Sequence, residues 1–239
     1  MDRDDSSFAL KVVPNPAALL AGGRSRRFGR DKARVDIDGT PLILHNLRCM
    51  TGHCEPVWVV GPAPNTYADL AIACIPDHDP DGGPMAGIIT ALRHREATLG
   101  PGICSIVACD HLLTTHDQLA FDYFFAFGGS SLLATVPRQA GRWQPVYATY
   151  HTRALPELER SFAAGQRSMQ RWLNQLVHPI TVCAVEDLQP GLPPTFNTEA
   201  ERVPAIAAMR HREANWFKLL HSGLPPTPDV SEAPREGEP

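Results

Sequence analysis

A basic, glycine-rich loop near the N-terminus holds the side chains best suited to bind phosphate. Gly22 and Gly23 follow a short apolar run, and five cations lie within the next nine residues: Arg24, Arg26, Arg27, Arg30 and Lys32. Glycines let the main chain turn sharply and approach an anion closely. Guanidinium groups bind phosphate oxygens in pairs, and a lysine acts as a mobile point charge. The stretch therefore predicts a phosphate site, with a solvated basic turn as the alternative.

The spacing of this loop differs from that of two well-known phosphate loops. A Walker A loop has four residues between its glycines and then Lys-Ser or Lys-Thr, whereas five residues separate Gly23 from Gly29 here and Arg-Asp-Lys follows. A dinucleotide-binding fingerprint requires G-x-G-x-x-G, which the stretch lacks. Both of these loop classes are therefore excluded.

Three further polar elements are expected at the carboxyl edge of a sheet, where ligands of open α/β folds bind. They are Asp77 with the glycine-rich stretch 83–87, Cys109-Asp110 directly after the apolar run 103–108, and Phe196-Asn197-Thr198. Magnesium prefers oxygen ligands and commonly uses carboxylates together with substrate phosphates, so Asp110 is the predicted metal ligand. The alternative role for Asp110 is to cap a following helix.

The elements that must position these side chains alternate between strand and helix. Such alternation predicts an α/β fold, a single domain with a mostly parallel sheet and helices on both faces. Pro16 indicates that the first strand starts no earlier than Ala17. The predicted strands are 17–20, 57–60, 71–75, 103–108, 132–136, 145–150 and 180–185. The predicted helices are 41–51, a helix after the loop 83–87, and 119–127, 153–164, 168–177 and 199–220, the last with a break near Pro204.

Composition narrows the classes of function. The 239 residues carry a net charge of −4, which argues against general nucleic-acid binding because that requires a basic face. No apolar run is long enough to span a membrane and no signal-peptide pattern is present, so we expect a cytoplasmic protein with no membrane partner. The six cysteines lack zinc-site spacing and are expected to be buried thiols. His78, His111 and His116 are expected to be surface or supporting residues.

The ends of the chain differ from the predicted domain, residues 17–222. Residues 1–16 are polar and contain Pro14 and Pro16, which favours a flexible arm. Residues 223–239 are rich in proline and glutamate and too poor in apolar residues to bury a core, so a disordered tail is predicted.

The basic loop resembles the signature L-A-G-G-x-S-x-R-x-G-x-D-K of the MobA-like nucleotidyltransferases, and the molybdenum cofactor guanylyltransferases in particular. Every fixed position matches between Leu20 and Lys32. The acid after a strand in Cys109-Asp110, the pair formed by Asp77 and the loop 83–87, and Gln144-Pro145 also resemble elements of the family, as does Asn197-Thr198. The resemblance covers residues 17–203.

The resemblance implies a Rossmann-like nucleotidyltransferase fold, Mg²⁺ as cofactor, and GTP and molybdopterin as substrates. It implies catalytic roles for Arg27, Lys32 and Asp110, with Asp110 also binding the metal, and a backbone N–H cradle over 21–25. Nucleotide-binding roles are implied for Leu20, Ala21, Gly22, Gly23, Lys32, Asp77, Gly83, Pro84, Gly87 and Asp110. The acceptor side is expected to use Gln144, Pro145 and Asn197.

The chain departs from the family pattern at several positions on the acceptor side. Leu112 and Glu199 replace expected prolines, and Thr195 and Gly61 replace expected asparagines. The two glycine-rich loops leave room for a purine, which favours GTP. A cytidylyltransferase, a related nucleotidyltransferase and a catalytically weak nucleotide-binding adaptor remain alternatives. The arm and tail are candidate docking segments for other cofactor-biosynthesis proteins or a molybdoenzyme chaperone.

Overall fold

A mixed, mostly parallel sheet forms the centre of the computed structural model, which describes residues 15–22, 28–115, 117, 132–176, 182–186 and 191–222. Its strands are β1 (Asn15–Leu20), β4 (Cys54–Gly61), β5 (Cys74–Pro76), β6 (Ile103–Ala108), β7 (Ala134–Gln139), β8 (Arg142–Trp143), β9 (Tyr147–His151) and β10 (Val182–Glu186). A separate hairpin is formed by β2 (Asp36–Ile37) and β3 (Thr40–Pro41).

The strand order places a topological switch beside β1. The order is β10-β7-β9-β6-β1-β4-β5, with β8 paired to β7. β1 runs parallel to β4 on one side and to β6 on the other, while β9 is antiparallel to both of its neighbours. The chain moves outward from β1 to β4 and β5 and then returns to the other side of β1 as β6. A crevice at such a reversal is where open α/β sheets bind ligands.

Helices cover both faces of the sheet, as the sequence predicted. They are α1 (Leu42–Thr51), α2 (Gly83–Leu99), α3 (Leu155–Ala163), α4 (Met169–Gln175) and α5 (Glu199–Ser222). Alternate residues of β1 point to opposite faces. Ala17 and Leu19 pack in a core with side chains of α1 and α5, whereas Ala18 and Leu20 pack in a second core with α2, α3 and α4.

Several predicted boundaries are wrong by a few residues. β1 begins at Asn15, two residues before the predicted start, because Pro16 lies at an irregularity in the pairing with β4 where its missing N–H is tolerated. α5 continues through Pro204, since a proline in the second turn removes only one hydrogen bond of the helix. β5 begins at Cys74 rather than at Ala71, which has a left-handed backbone conformation.

Some predictions fall outside the described residues. These are the helix over 119–127, the arm residues 1–14, the tail 223–239, and the loop residues 23–27, which include Gly23 and Arg27. The prediction that the cysteines are buried thiols is confirmed for Cys49, Cys54, Cys74, Cys104 and Cys109, all of which are buried. Within the described part of the chain, no helix combines the length and apolar character needed to cross a membrane.

Candidate active site

A cleft of about 480 Å³ lies at the carboxyl ends of the strands beside the topological switch. Ligand pockets for small molecules have volumes of roughly 300–1,000 Å³, so the cleft is large enough for a nucleotide. It is lined by residues that follow β1, β5 and β6 and by the start of α2, among them Gly22, Asp77, Gly83 and Asp110. The structure therefore brings together elements that are far apart in the sequence.

Asp110 lies two residues beyond the end of β6, and its two carboxylate oxygens have different partners. Oδ2 is 3.5 Å from the ammonium nitrogen of Lys32, and Oδ1 is 3.4 Å from Nδ1 of His111. Burial would raise the pKa of Asp110, but His111 and Lys32 outweigh it and lower the pKa to about 2. The carboxylate is therefore ionised at neutral pH. Residues 112–115 are not helical, so Asp110 does not cap a helix there.

His111 supports Asp110 from the side away from Lys32. Its Nδ1 lies 3.2 Å from the carbonyl oxygen of Ala108 as well as close to the Asp110 carboxylate. A ring nitrogen that faces two oxygens must carry the hydrogen, which assigns the proton to Nδ1. The imidazole also stacks on Tyr147 with ring centroids 5.7 Å apart. His111 is thus a buried supporting residue, as the sequence led us to expect.

Lys32 begins a short 3₁₀-helix, Lys32–Arg34, that is capped by the side chain of Asp31. Its Nζ donates a hydrogen bond to Oδ1 of Asn197 at 3.0 Å and lies 5.9 Å from the centre of the Phe196 ring. Only 14% of the side chain is exposed. The ammonium group is therefore not a mobile surface charge, because Asp110, Asn197 and Phe196 enclose it.

The segment before α5 is held against the segment that follows Asp110. The N–H of Leu112 donates to the carbonyl of Pro194 at 2.9 Å, and His111 and Thr195 form an isolated β-bridge. The proline expected at position 112 could not donate this hydrogen bond. These contacts place Asn197 beside Lys32, and its expected role on the acceptor side stays a prediction.

Asp77 and the start of α2 form the opposite wall of the cleft. The N–H of Asp77 donates to Gly61, and its Oδ1 accepts a hydrogen bond from the hydroxyl of Thr90 at 3.0 Å. Gly83, the first residue of α2, has a φ of +69° that favours glycine, and Pro84 follows in the first turn. The helix therefore starts with its N-terminal end, which attracts anions, at the cleft.

The described lining of the cleft is acidic. Its carboxylates are Asp31, Asp77, Asp81 and Asp110, against one ammonium group, that of Lys32. A triphosphate would be repelled by this arrangement unless further cations were supplied. Divalent cations and the arginines of the basic loop are suitable sources, because both neutralise phosphate charge effectively.

The chemistry of these residues fits a hard divalent cation. An ionised carboxylate of Asp110 and the amide oxygen of Asn197 already share one cation, the ammonium of Lys32. No group of three or more His, Cys, Asp or Glu residues in the described part of the chain could hold a metal by itself. Magnesium typically binds through one or two carboxylates plus substrate phosphates, which agrees with a site that the nucleotide completes.

Comparison with known proteins identifies the family. The profile of the MobA-like NTP transferase domain matches residues 17–180, which is more than half of the chain. The chain belongs to the MobA-like nucleotidyltransferases. It is therefore a nucleotidyltransferase, and enzymes of this family generally depend on a divalent metal.

Two curated relatives of this MobA-like chain are named as molybdenum cofactor guanylyltransferases. A protein of Pseudomonas putida KT2440 is 34% identical over 183 residues, which cover 74% of this chain and 91% of the relative. A probable molybdenum cofactor guanylyltransferase of Chloroflexus aggregans is 30% identical over 176 residues, covering 72% of this chain and 78% of the relative.

A solved structure has the same fold. The molybdopterin-guanine dinucleotide biosynthesis protein A of Archaeoglobus fulgidus has a TM-score of 0.65 at 23% identity and covers 82% of this chain and 99% of its own. The predicted Rossmann-like nucleotidyltransferase fold is thus confirmed.

The MobA-like signature residues play more varied roles than the sequence suggested. Ala21 lines the cleft, but its N–H already donates to the carbonyl of Val60 at 2.8 Å and so is not available to a phosphate cradle. Gly87 lies inside α2 and does not line the cleft; a Cβ there would come within 3.2 Å of the Leu20 side chain, so this glycine allows close packing of α2 on β1. Leu20, Gly22, Gly83 and Pro84 also line the cleft.

Gln144 and Pro145, which the resemblance assigned to the acceptor side, lie just before β9. Gln144 and Pro145 precede β9 and make backbone contacts, with the N–H of Gln144 donating to Pro137 and the carbonyl of Pro145 accepting from the Tyr150 hydroxyl. Neither is part of the cleft lining, which includes Val146 from the same segment. Gln144 and Pro145 thus lie next to a residue of the cleft lining, and their role on the acceptor side stays a prediction.

Two supporting residues were not found from the sequence. Thr90 of α2 fixes Asp77, and Asn46 of α1 contacts the segment around Asp110. Asn46 did carry a signal, because it is a lone amide on the buried face of α1 between Ile43 and Met50. Thr90 gave no such signal, since a threonine in a helix is an ordinary residue.

Proposed function

We infer that this chain transfers GMP from GTP to the terminal phosphate of molybdopterin, which gives molybdopterin guanine dinucleotide and pyrophosphate. The observation that supports this most directly is the convergence of Lys32, Asp110 and Asn197 at the edge of a nucleotide-sized cleft. The names of the curated relatives support guanine as the base and molybdopterin as the acceptor.

In this reaction a phosphate oxygen of the pterin attacks the α-phosphorus of GTP in line. The bond between the α-phosphorus and the bridging oxygen breaks, and that oxygen leaves with pyrophosphate. A phosphate monoester is already nucleophilic at neutral pH, so no covalent enzyme intermediate is required. Catalysis then consists of positioning the two phosphates and neutralising their charge.

The described residues divide these tasks. Lys32 binds phosphate oxygens and stabilises the leaving pyrophosphate, and Asn197 orients the lysine through its hydrogen bond. Asp110 holds the divalent cation, which we propose to be Mg²⁺ and which neutralises phosphate charge when bound. Asp77, Gly83 and Pro84 form the opposite wall. Arg27 is proposed to bind the triphosphate together with Lys32.

A competition experiment tests the function and the choice of base. Equimolar GTP and CTP are incubated with the protein, Mg²⁺ and molybdopterin, and the two dinucleotide products are identified and quantified by mass spectrometry. We expect the guanine product to exceed the cytosine product by at least about tenfold, which corresponds to roughly 1.4 kcal/mol in the specificity constant. A predominantly cytosine product would identify a cytidylyltransferase. Nucleotide binding without any dinucleotide would contradict the enzymatic role on this acceptor.

A further inference from the structure

Asn46 is a fully buried amide that is hydrogen-bonded on both sides of Asp110. Its Nδ2 donates to the carbonyl of Cys109 at 3.0 Å and to the carbonyl of His111 at 2.9 Å. Its Oδ1 accepts from the N–H of Leu113 at 3.4 Å. The side chain is 0% exposed, so these hydrogen bonds do not compete with water. Three of the four hydrogen-bonding positions of the amide are occupied by the five-residue segment 109–113.

The segment around Asp110 needs such a partner because it has just left the sheet. Pairing between β6 and β1 ends at Ala108. The last backbone hydrogen bond to β1 is the one that the N–H of Cys109 donates to the carbonyl of Leu20. Buried carbonyls beyond that point must find hydrogen bonds elsewhere. The amide of Asn46 supplies them at Cys109 and His111, the residues that flank Asp110 in the chain.

The neighbouring polar side chains of α1 contact a different carbonyl. The Nε2 of His45 lies 2.8 Å from the carbonyl oxygen of Leu113, and the Sγ of Cys49 lies 3.7 Å from the same atom. Neither residue reaches the carbonyls that flank Asp110. Asn46 alone among the described residues of α1 is hydrogen-bonded to both Cys109 and His111.

We propose that Asn46 is a positioning residue of this active site, one that sets the direction of the Asp110 carboxylate through the backbone on either side of it. This rests on the proposed role of Asp110 as metal ligand. Because the carbonyls of Cys109 and His111 point towards α1, the side chain of Asp110 between them points towards Lys32 and the cleft. They also fix His111, whose Nδ1–H contacts the other carboxylate oxygen.

The test compares Asn46→Leu with Met50→Ala. Leucine keeps the approximate size of the side chain but leaves both carbonyls without their donor. Met50 lies one turn later on the same buried face of α1 and has no hydrogen bond to the Asp110 segment, so its truncation is a matched control for lost stability. For each variant we measure the thermal midpoint, the concentration of Mg²⁺ that gives half-maximal activity, and Mn²⁺ binding by electron paramagnetic resonance with GTP present.

We expect Asn46→Leu to weaken Mn²⁺ binding and to raise the Mg²⁺ requirement, each by about tenfold, as is usual when a residue that orients a metal ligand is removed. Met50→Ala should lower the thermal midpoint while leaving both metal measurements unchanged. Equal metal dependence in Asn46→Leu and the wild type would overturn the inference. If Asn46→Leu does not fold, Asn46→Ser replaces it, and an unchanged metal dependence there overturns the inference equally.

A third variant separates this inference from the proposed function. Asp110→Asn should lose the Mn²⁺ signal and most of the activity. If Asp110→Asn keeps both, the proposed role of Asp110 is wrong. If Asp110→Asn loses them and Asn46→Leu does not, only the role of Asn46 is wrong.

Discussion

The ammonium nitrogen of Lys32 lies 3.0 Å from the amide oxygen of Asn197, although 165 residues separate the two in the chain. The contact joins the basic loop to the segment before α5 across the mouth of the cleft. It fixes the orientation of the Lys32 side chain. The Oδ2 atom of Asp110 lies 3.5 Å from the same ammonium nitrogen. Lysine alone is a flexible point charge, so this hydrogen bond restricts the position of that charge at the cleft.

Lys32→Ala should reduce kcat/KM by about 100-fold or more, because it removes the cation that stabilises the leaving pyrophosphate. The free energy of unfolding should fall by no more than about 1 kcal/mol, since a partly exposed ion pair contributes little. Steady-state kinetics and thermal melting of the same preparation measure the two effects. Lys218→Ala is the matched control, because Lys218 is an exposed lysine near the end of α5. Near-normal turnover of Lys32→Ala would contradict its assigned role.

Asp110→Ala should abolish metal-dependent turnover while the protein remains folded. If Asp110 only supported the fold, its loss would instead lower the stability and leave the kinetics unchanged. Activity over a range of Mg²⁺ concentrations and the thermal midpoint distinguish these outcomes. Asp38→Asn serves as control, because Asp38 lies in the β2–β3 hairpin and pairs only with the exposed Arg210 among the described residues. A lowered midpoint with normal kinetics would show that Asp110 is structural and not catalytic.

Gly82→Ala and Gly83→Ala should both destabilise the start of α2, for different reasons. A Cβ on Gly82 would lie 2.6 Å from the Phe162 ring, and overpacking of this kind costs about 1–3 kcal/mol. Gly83 has open space around it but a φ of +69°, and a left-handed backbone costs roughly 1–2 kcal/mol for other residues. Denaturant titration measures both.

The variant Phe162→Leu separates the two causes. Combined with Gly82→Ala, it should restore part of the lost stability, because the ring that the new Cβ meets has been removed. Combined with Gly83→Ala, it should restore none, because that strain is in the backbone. Equal behaviour of the two combinations would show that these assignments are wrong.

Arg212→Met should destabilise the protein by about 3–5 kcal/mol, because it leaves the buried carboxylate of Asp117 without its charge partner. The two side chains are 5% and 2% exposed and form an ion pair between α5 and the segment after Asp110. The Asp117 carboxylate also accepts hydrogen bonds from Thr114 and from the hydroxyl of Tyr147. Chemical denaturation gives the loss.

A double variant tests whether the loss comes from an unpaired charge. Arg212→Met combined with Asp117→Asn should be more stable than Arg212→Met alone, because the remaining buried group is then neutral. If the second substitution only adds to the loss, the pair is not the source of the effect. When Asp117→Asn is measured as well, the comparison gives the coupling free energy between the two residues.

The sequence by itself determined the fold class and the main chemical groups. Alternating apolar runs and helical periods predict a parallel α/β sheet, because a strand buried on both faces must be apolar throughout. The spacing from Leu20 to Lys32 predicted a phosphate loop, and a carboxylate directly after the apolar run 103–108 predicted a metal ligand at Asp110. These features are local, so they can be recognised without knowing what lies beside them in space.

Only the tertiary structure decided which of these groups meet and which are already engaged. It showed that Asn197 is hydrogen-bonded to Lys32 and that the N–H of Ala21 donates to the carbonyl of Val60. It also showed that Gly87 lies where α2 packs on β1. It also showed that Asn46 reaches Cys109, which lies 63 residues later in the chain. Hydrogen bonds and contacts of this kind depend on the register of the sheet and the docking of helices on it, and neither is encoded in the spacing of a single motif.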